Sequence, residues 1–193
     1  RVTLELNSMI VFVAPLELGD ATRIPLYPAS ILTQLAVGDL VSIDFGTALL
    51  QVTEVGTSCR ARVVSSGTIG SNKAVSIDRV IDLPPLTDVD YAAIEGGLHL
   101  GICHFALSFA NHRSDVELFR DIVGKQVQII AKIESQLGLS HLGEILDAAD
   151  VILIDRGDLS REVSIESIPF VQKEIIRCAN EASVPVYVAT NLL

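Results

Sequence analysis

Three short apolar runs, each passing directly into polar residues, constrain this chain more than any other feature. Ile129-Ile130-Ala131 runs into Lys132-Ile133-Glu134, Val151-Ile152-Leu153-Ile154 into Asp155-Arg156-Gly157-Asp158, and Val186-Tyr187-Val188-Ala189 into Thr190-Asn191. Runs this short and this apolar suit buried strands better than helices. Side chains two apart on a strand share a side, so Lys132 and Glu134 leave their strand together. Helical spacing separates the runs: a helix is predicted near Leu139 to Ala148. Ile168, Val171, Ile175 and Cys178 mark one face of a longer one. Strands alternating with helices imply a parallel sheet. In such sheets chemistry gathers at the C-terminal strand ends, so the three polar ends are expected to converge.

The alternation extends back to about residue 81. A helix is predicted near 88 to 98, a strand from His104 to Ser108, a helix from Asp115 to Val123 and a strand from Val127 to Ile133. Thr87-Asp88-Val89-Asp90 has the pattern of an N-cap with an acid at the third helical position. Four β/α units in about 110 residues make half of a (β/α)8 barrel, which takes ~250 residues. An open doubly wound sheet is the alternative, although no G-x-G-x-x-G segment supports a dinucleotide site.

Residues 1 to about 80 are different. Val2 to Leu6, Met9 to Val13, Leu40 to Asp44, Leu49 to Val52 and Ala61 to Val64 read as short strands between Gly and Pro punctuation. A small all-β barrel or sandwich is expected, with Ser30 to Ala36 its longest helix-period stretch. Leu83-Pro84-Pro85-Leu86 forbids both helix and central strand and is predicted to be a linker.

Composition narrows the function classes. With 49% hydrophobic and 20% charged residues, disorder is excluded. No apolar stretch approaches the ~20 residues of a membrane span, and no signal peptide is evident at the start. A formal charge of -10 argues against nucleic acid, whose phosphates require a basic face. It suits carboxylates that hold a divalent cation. Cys59, Cys103 and Cys178 stand far apart in apolar contexts and read as reduced core residues of a cytoplasmic protein. The first residue is Arg1, and Leu193 closely follows a candidate site residue, so a piece of a longer protein is expected.

Glu134 and Asp158, at the ends of adjacent strands, suit Mg2+ or Mn2+, which take few protein oxygens and leave positions for substrate. Lys132 is placed either to neutralise charge on a phosphoryl or enolate oxygen or to pair with Glu134. Gly157-Asp158-Leu159-Ser160 is expected to open a short helix whose N-H groups face an anion. Thr190 directs a hydroxyl at the same mouth or serves a structural role. The four histidines share no ligand-like spacing.

Taken in order, these segments resemble pyruvate kinases. Ala131-Lys132-Ile133-Glu134, Arg156-Gly157-Asp158-Leu159 and Val188-Ala189-Thr190 look like successive signature segments of that family. Ala106-Leu107-Ser108-Phe109, Gly67-Thr68-Ile69-Gly70-Ser71, Asp82-Leu83-Pro84, Val171-Gln172-Lys173 and the run Glu144 to Asp150 fit the same order. Collinearity over nearly the whole chain is more specific than any one motif.

The resemblance implies a partial TIM (β/α)8 barrel with an inserted small all-β barrel domain. Residues 1-80 would be the lid, and residues 81-193 strands four to seven of the catalytic barrel. It implies phosphoryl transfer from phosphoenolpyruvate to ADP, giving pyruvate and ATP. By matching position, Glu134 and Asp158 would ligate the metal and Lys132 would stabilise the transferring group. Gly157, Asp158, Ser108 and Thr190 would contact substrate, with Thr190 beside the protonation step. Lys73 would reach the nucleotide phosphates. K+ is also implied, its main ligands lying in segments outside this chain, as is a homo-oligomer, a tetramer in the family. The 193 residues alone would not turn over.

Four positions depart from the family pattern. Asp155 replaces alanine, Ser160 glycine, Asn191 glutamine, and Phe45 the second acid of an Asp-Asp-Gly turn. Asp155 puts a negative charge beside the expected substrate-carboxylate site: facing the mouth at ~4 Å it would cost on the order of 4 kcal/mol at an effective dielectric of ~20, and facing away it would change little. Two other readings are a catalytically inactive sensor or structural module of the same family, and a metal-dependent lyase of the phosphoenolpyruvate/pyruvate superfamily.

Overall fold

The computed structural model describes residues 1-15 and 18-189. The chain forms two compact units, Arg1–Pro84 and Pro85–Leu193, the boundary in sequence falling within the double proline.

In the first unit the regular elements are β1 (Val2–Leu4), β2 (Met9–Val13), β3 (Arg23–Pro25), a 3-10 helix (Ala29–Thr33), β4 (Leu40–Ile43), β5 (Ala48–Glu54), β6 (Cys59–Ser65), β7 (Gly67–Ile69) and β8 (Val75–Ile77). Six strands pair in the order β3-β2-β6-β5-β4-β8, and β1 pairs with β7. All these pairings are antiparallel except β2 with β3. Period-two burial explains the core. Ala48, Leu50 and Val52 of β5 and Cys59, Ala61 and Val63 of β6 point inward with Val41 and Ile43 of β4, while their neighbours face outward.

Three strands were not legible in advance. β3, β7 and β8 have three residues each, too few for a period to register. The helical stretch expected from Ser30 to Ala36 is a 3-10 turn that begins just after Pro28.

The second unit contains α1 (Asp88–His99), β9 (His104–Leu107), α2 (Arg113–Val123), β10 (Gln128–Ile133), α3 (Gln136–Ser140), α4 (Leu142–Leu146), β11 (Val151–Asp155), α5 (Arg156–Leu159), α6 (Ile168–Glu181) and β12 (Val186–Ala189). Its sheet runs β9-β10-β11-β12 in sequence order, and every pairing is parallel. This is an α/β fold.

Thr87 caps α1: its N-H donates to Asp90 Oδ2 at 2.8 Å, and Asp90 N-H donates to Thr87 Oγ1 at 3.4 Å. The single helix expected from Leu139 to Ala148 is instead two short ones meeting at His141. Ser135 starts the first earlier than its apolar residues suggested, its Oγ accepting from Gly138 N-H at 2.9 Å. One face of the sheet packs under the helices. Ile129, Ala131 and Ile133 of β10 and Ile152 and Ile154 of β11 join Phe119, Ile145 and Ile175 in one core. The other face carries Lys132, Leu153 and Asp155.

The cysteine expectation needs correction. Cys59 is buried and Cys178 half-buried, but Cys103 is exposed, because it precedes β9 rather than lying within it. None of the described helices is long and apolar enough to cross a membrane.

Candidate active site

Parallel register decides which side chains meet. Lys132 lies beside Leu153, and Asp155, two residues further on, lies beside Ala189. Lys132 and Asp155 therefore share a sheet face, and Glu134 follows Lys132 on the same side. Lys132 Nζ lies 2.6 Å from Glu134 Oε1 and 3.2 Å from Asp155 Oδ2. The ion pair that sequence offered as one role for Lys132 is present, with a second carboxylate added.

Glu134 is only 1% exposed. Its second oxygen, Oε2, accepts from the backbone N-H of Phe109 at 2.7 Å. Burial pushes the Glu134 carboxyl up, outweighing the downward pull of Lys132 and of that N-H; Asp158 pushes it further up. For Lys132 burial acts downward, yet Glu134 and Asp155 together raise its ammonium above the usual lysine range. The lysine is a fixed cation at neutral pH.

Asp158 stands on α5, which begins one residue before Gly157 at Arg156. Its Oδ1 accepts from Arg161 Nη1 at 2.8 Å, and the Arg161 guanidinium lies 5.9 Å from the centre of the Phe109 ring. One carboxylate oxygen from each of Glu134, Asp155 and Asp158 lies within 4.8 Å of the others. Ligand oxygens around a small divalent ion at ~2.1 Å stand ~3.0 to ~4.2 Å apart. A modest contraction of the cluster would therefore suffice, and the all-oxygen donor set fits Mg2+ or Mn2+.

The structure brings Lys132, Glu134 and Asp158 together as sequence anticipated. Ser108 joins them at a longer distance, its Oγ 3.5 Å from Lys132 Nζ. Thr190 and Asn191 lie outside the described residues. Lys73 belongs to the first unit, where its Nζ lies 3.1 Å from Asp44 Oδ2, next to Phe45. That turn holds Asp44, Phe45 and Gly46 all at positive φ, and Phe45 is largely exposed.

Two participants were missed. Phe109 acts through its main chain, which no side-chain pattern reveals. Arg161 stands three residues after Asp158, a spacing at which helical charges pair, so that signal was available. Asp155 was seen only as a departure, and the structure puts it within the cluster. Lys132 lies between Asp155 and Glu134 and offsets the repulsion between those two carboxylates.

Comparison with known proteins gives the family. The family model described as "Pyruvate kinase, barrel domain" matches residues 7-193. The chain belongs to the pyruvate kinase family. Among curated relatives, the pyruvate kinase of Agrobacterium vitis is 36% identical over 198 residues, covering 100% of this chain and 41% of its own length. The pyruvate kinase of Aeropyrum pernix is 38% identical over 162 residues, covering 81% of this chain and 35% of its own. That of Bacillus licheniformis is 33% identical over 184 residues, with 91% and 32% covered. The chain spans about a third of the length of such relatives.

Proposed function

We propose that this chain is part of an enzyme that transfers phosphoryl from phosphoenolpyruvate to ADP, as a pyruvate kinase. The observation that carries the reading is the meeting of Lys132, Glu134 and Asp158 at the ends of parallel strands, in a chain whose relatives bear that name. Residues 81-193 would supply four consecutive strands of a (β/α)8 barrel, and residues 1-80 a β-barrel lid.

Glu134 and Asp158 would hold Mg2+ or Mn2+, with Phe109 N-H fixing the orientation of Glu134. The ion would neutralise charge on substrate oxygens when bound. Lys132, kept protonated by its carboxylate neighbours, would offer its ammonium to the phosphoryl oxygens, where positioning and charge dominate catalysis. Ser108 would orient that ammonium. Gly157 and Asp158 would present backbone N-H groups to the substrate carboxylate. Thr190 as a group beside the protonation step and Lys73 as a nucleotide-phosphate ligand rest on the family resemblance alone. So do K+ and a tetrameric assembly, while a cytoplasmic setting rests also on the three widely spaced cysteines.

The test is a coupled pyruvate-formation assay on the longer protein containing these residues, with phosphoenolpyruvate, ADP, Mg2+ and K+. Turnover that disappears in Glu134→Ala supports the assignment. A folded, Mn2+-binding protein without turnover would reject this reaction.

A further inference from the structure

We propose that Asp155 is a third carboxylate ligand of the divalent cation, so that this site binds the ion without help from substrate oxygens. The inference rests on the cation site proposed above and extends it to a residue that the family pattern does not assign.

Three observations carry it. Asp155 closes β11 on the sheet face that bears Lys132, a position fixed by backbone register rather than by a mobile loop. One of its oxygens lies within 4.8 Å of oxygens from both Glu134 and Asp158. The ammonium of Lys132 already bridges Asp155 and Glu134, at 3.2 and 2.6 Å, so a positive charge is accommodated between those two carboxylates.

The donor set gives the consequence. With Asp155 the ion would find three hard carboxylate oxygens on protein in place of two. Mg2+ is ordinarily held by one or two carboxylates together with substrate phosphates. Here the ion's affinity is set by the protein and depends little on substrate. Lys132 touches the same oxygens and would compete with the ion for them.

The experiment is a direct Mn2+ titration of the longer protein, followed by electron paramagnetic resonance of free Mn2+, without phosphoenolpyruvate or nucleotide. Asp155→Asn and Asp155→Ala are each expected to weaken Mn2+ binding by about tenfold or more. Adding phosphoenolpyruvate should recover much of that loss in the variants and change little in the wild type. Unchanged Mn2+ binding in both variants, with Glu134→Gln abolishing it, would overturn the role of Asp155 and leave the cation site intact. Binding unaffected by Glu134→Gln and Asp158→Asn as well would reject the site itself.

Discussion

The backbone N-H of Phe109 donates to Oε2 of Glu134 at 2.7 Å, tying the loop after β9 to the residue that follows β10. Phe109 reaches that position at φ +49, a conformation unfavourable for a bulky residue. Its ring is partly exposed and lies beside Arg161. A nearly inaccessible carboxylate is thus held from two sides, by an ammonium and by a main-chain donor.

Removing that carboxylate leaves both donors without it. Glu134→Ala is expected to cost on the order of 3 kcal/mol in stability, as breaking one side of a buried ion pair does, and to abolish Mn2+ binding. Glu134→Gln retains a carbonyl oxygen for the Phe109 N-H. It should keep more stability than the alanine variant while still losing the ion. Urea denaturation alongside Mn2+ titration separates the two effects. Equal destabilisation by both substitutions would show that the Phe109 hydrogen bond contributes little.

Lys132→Met tests the lysine's two proposed tasks in opposite directions. Loss of the ammonium should abolish turnover in the longer protein. It should also tighten Mn2+ binding, because the resident cation no longer competes for Glu134 and Asp155. The buried Glu134 then depends on the metal for its counter-charge, so Mn2+ should raise the melting temperature of the variant more than that of the wild type. Calorimetry with and without the ion measures the difference. Weaker Mn2+ binding in the variant would count against competition.

What sequence could reveal follows from which interactions leave a periodic or positional mark. β10 was legible because Ile129, Ala131 and Ile133 are apolar, and Lys132 and Glu134 were legible because charge abruptly follows apolar residues. Spacing could not show that Asp155 would enter the cluster, since that depends on β11 pairing with β10 in a particular register. β3 depends on pairing beside β2, with Arg23 opposite Val11, and three residues carry no detectable period. His141 divides the expected helix after β10 through its own backbone conformation, and its neighbours Leu139, Leu142 and Ile145 still keep helical spacing. Local pattern identified the elements; long-range pairing assembled the site.

Asp39 gives the first unit an acid-sensitive fastening. Arg79 grips it with Nε to Oδ1 at 2.9 Å and Nη2 to Oδ2 at 3.0 Å, and Ala36 N-H adds 2.8 Å to Oδ2. The Arg79 hydrogen bonds hold the Asp39 carboxyl below the usual aspartate range, against the upward push of burial and with help from the Ala36 N-H. A folded-state value below the unfolded value of about 3.9 contributes stability that is complete above that value. The contribution is lost as pH falls through the folded value. Amide-exchange protection in β4 and β5, relative to the intrinsic rate at each pH, should thus fall on acidification below about pH 4, and Asp39→Asn should reduce that pH dependence while lowering protection at neutral pH. An unaltered acid profile in Asp39→Asn would assign the sensitivity to other carboxylates.

Gly96 and Gly97 are adjacent on α1 but should respond oppositely to alanine. A Cβ on Gly96 meets nothing within 4 Å, so Gly96→Ala should gain about 0.5 to 1 kcal/mol from helix propensity. A Cβ on Gly97 would stand 2.9 Å from Cζ and 3.0 Å from Cε1 of Phe105. That ring packs edge-on against Phe119 at a centroid distance of 6.1 Å, so pushing it disturbs the contact with α2. Overpacking of this kind costs roughly 1 to 3 kcal/mol, more than the propensity gained, and Gly97→Ala should be destabilising. Replacing the ring makes the cause specific. Gly97→Ala should cost less in a Phe105→Leu background than alone, because the atoms it meets are gone. Urea denaturation of the four proteins gives the coupling directly, and additivity would show that Gly97 is required for a reason other than the approach of Phe105.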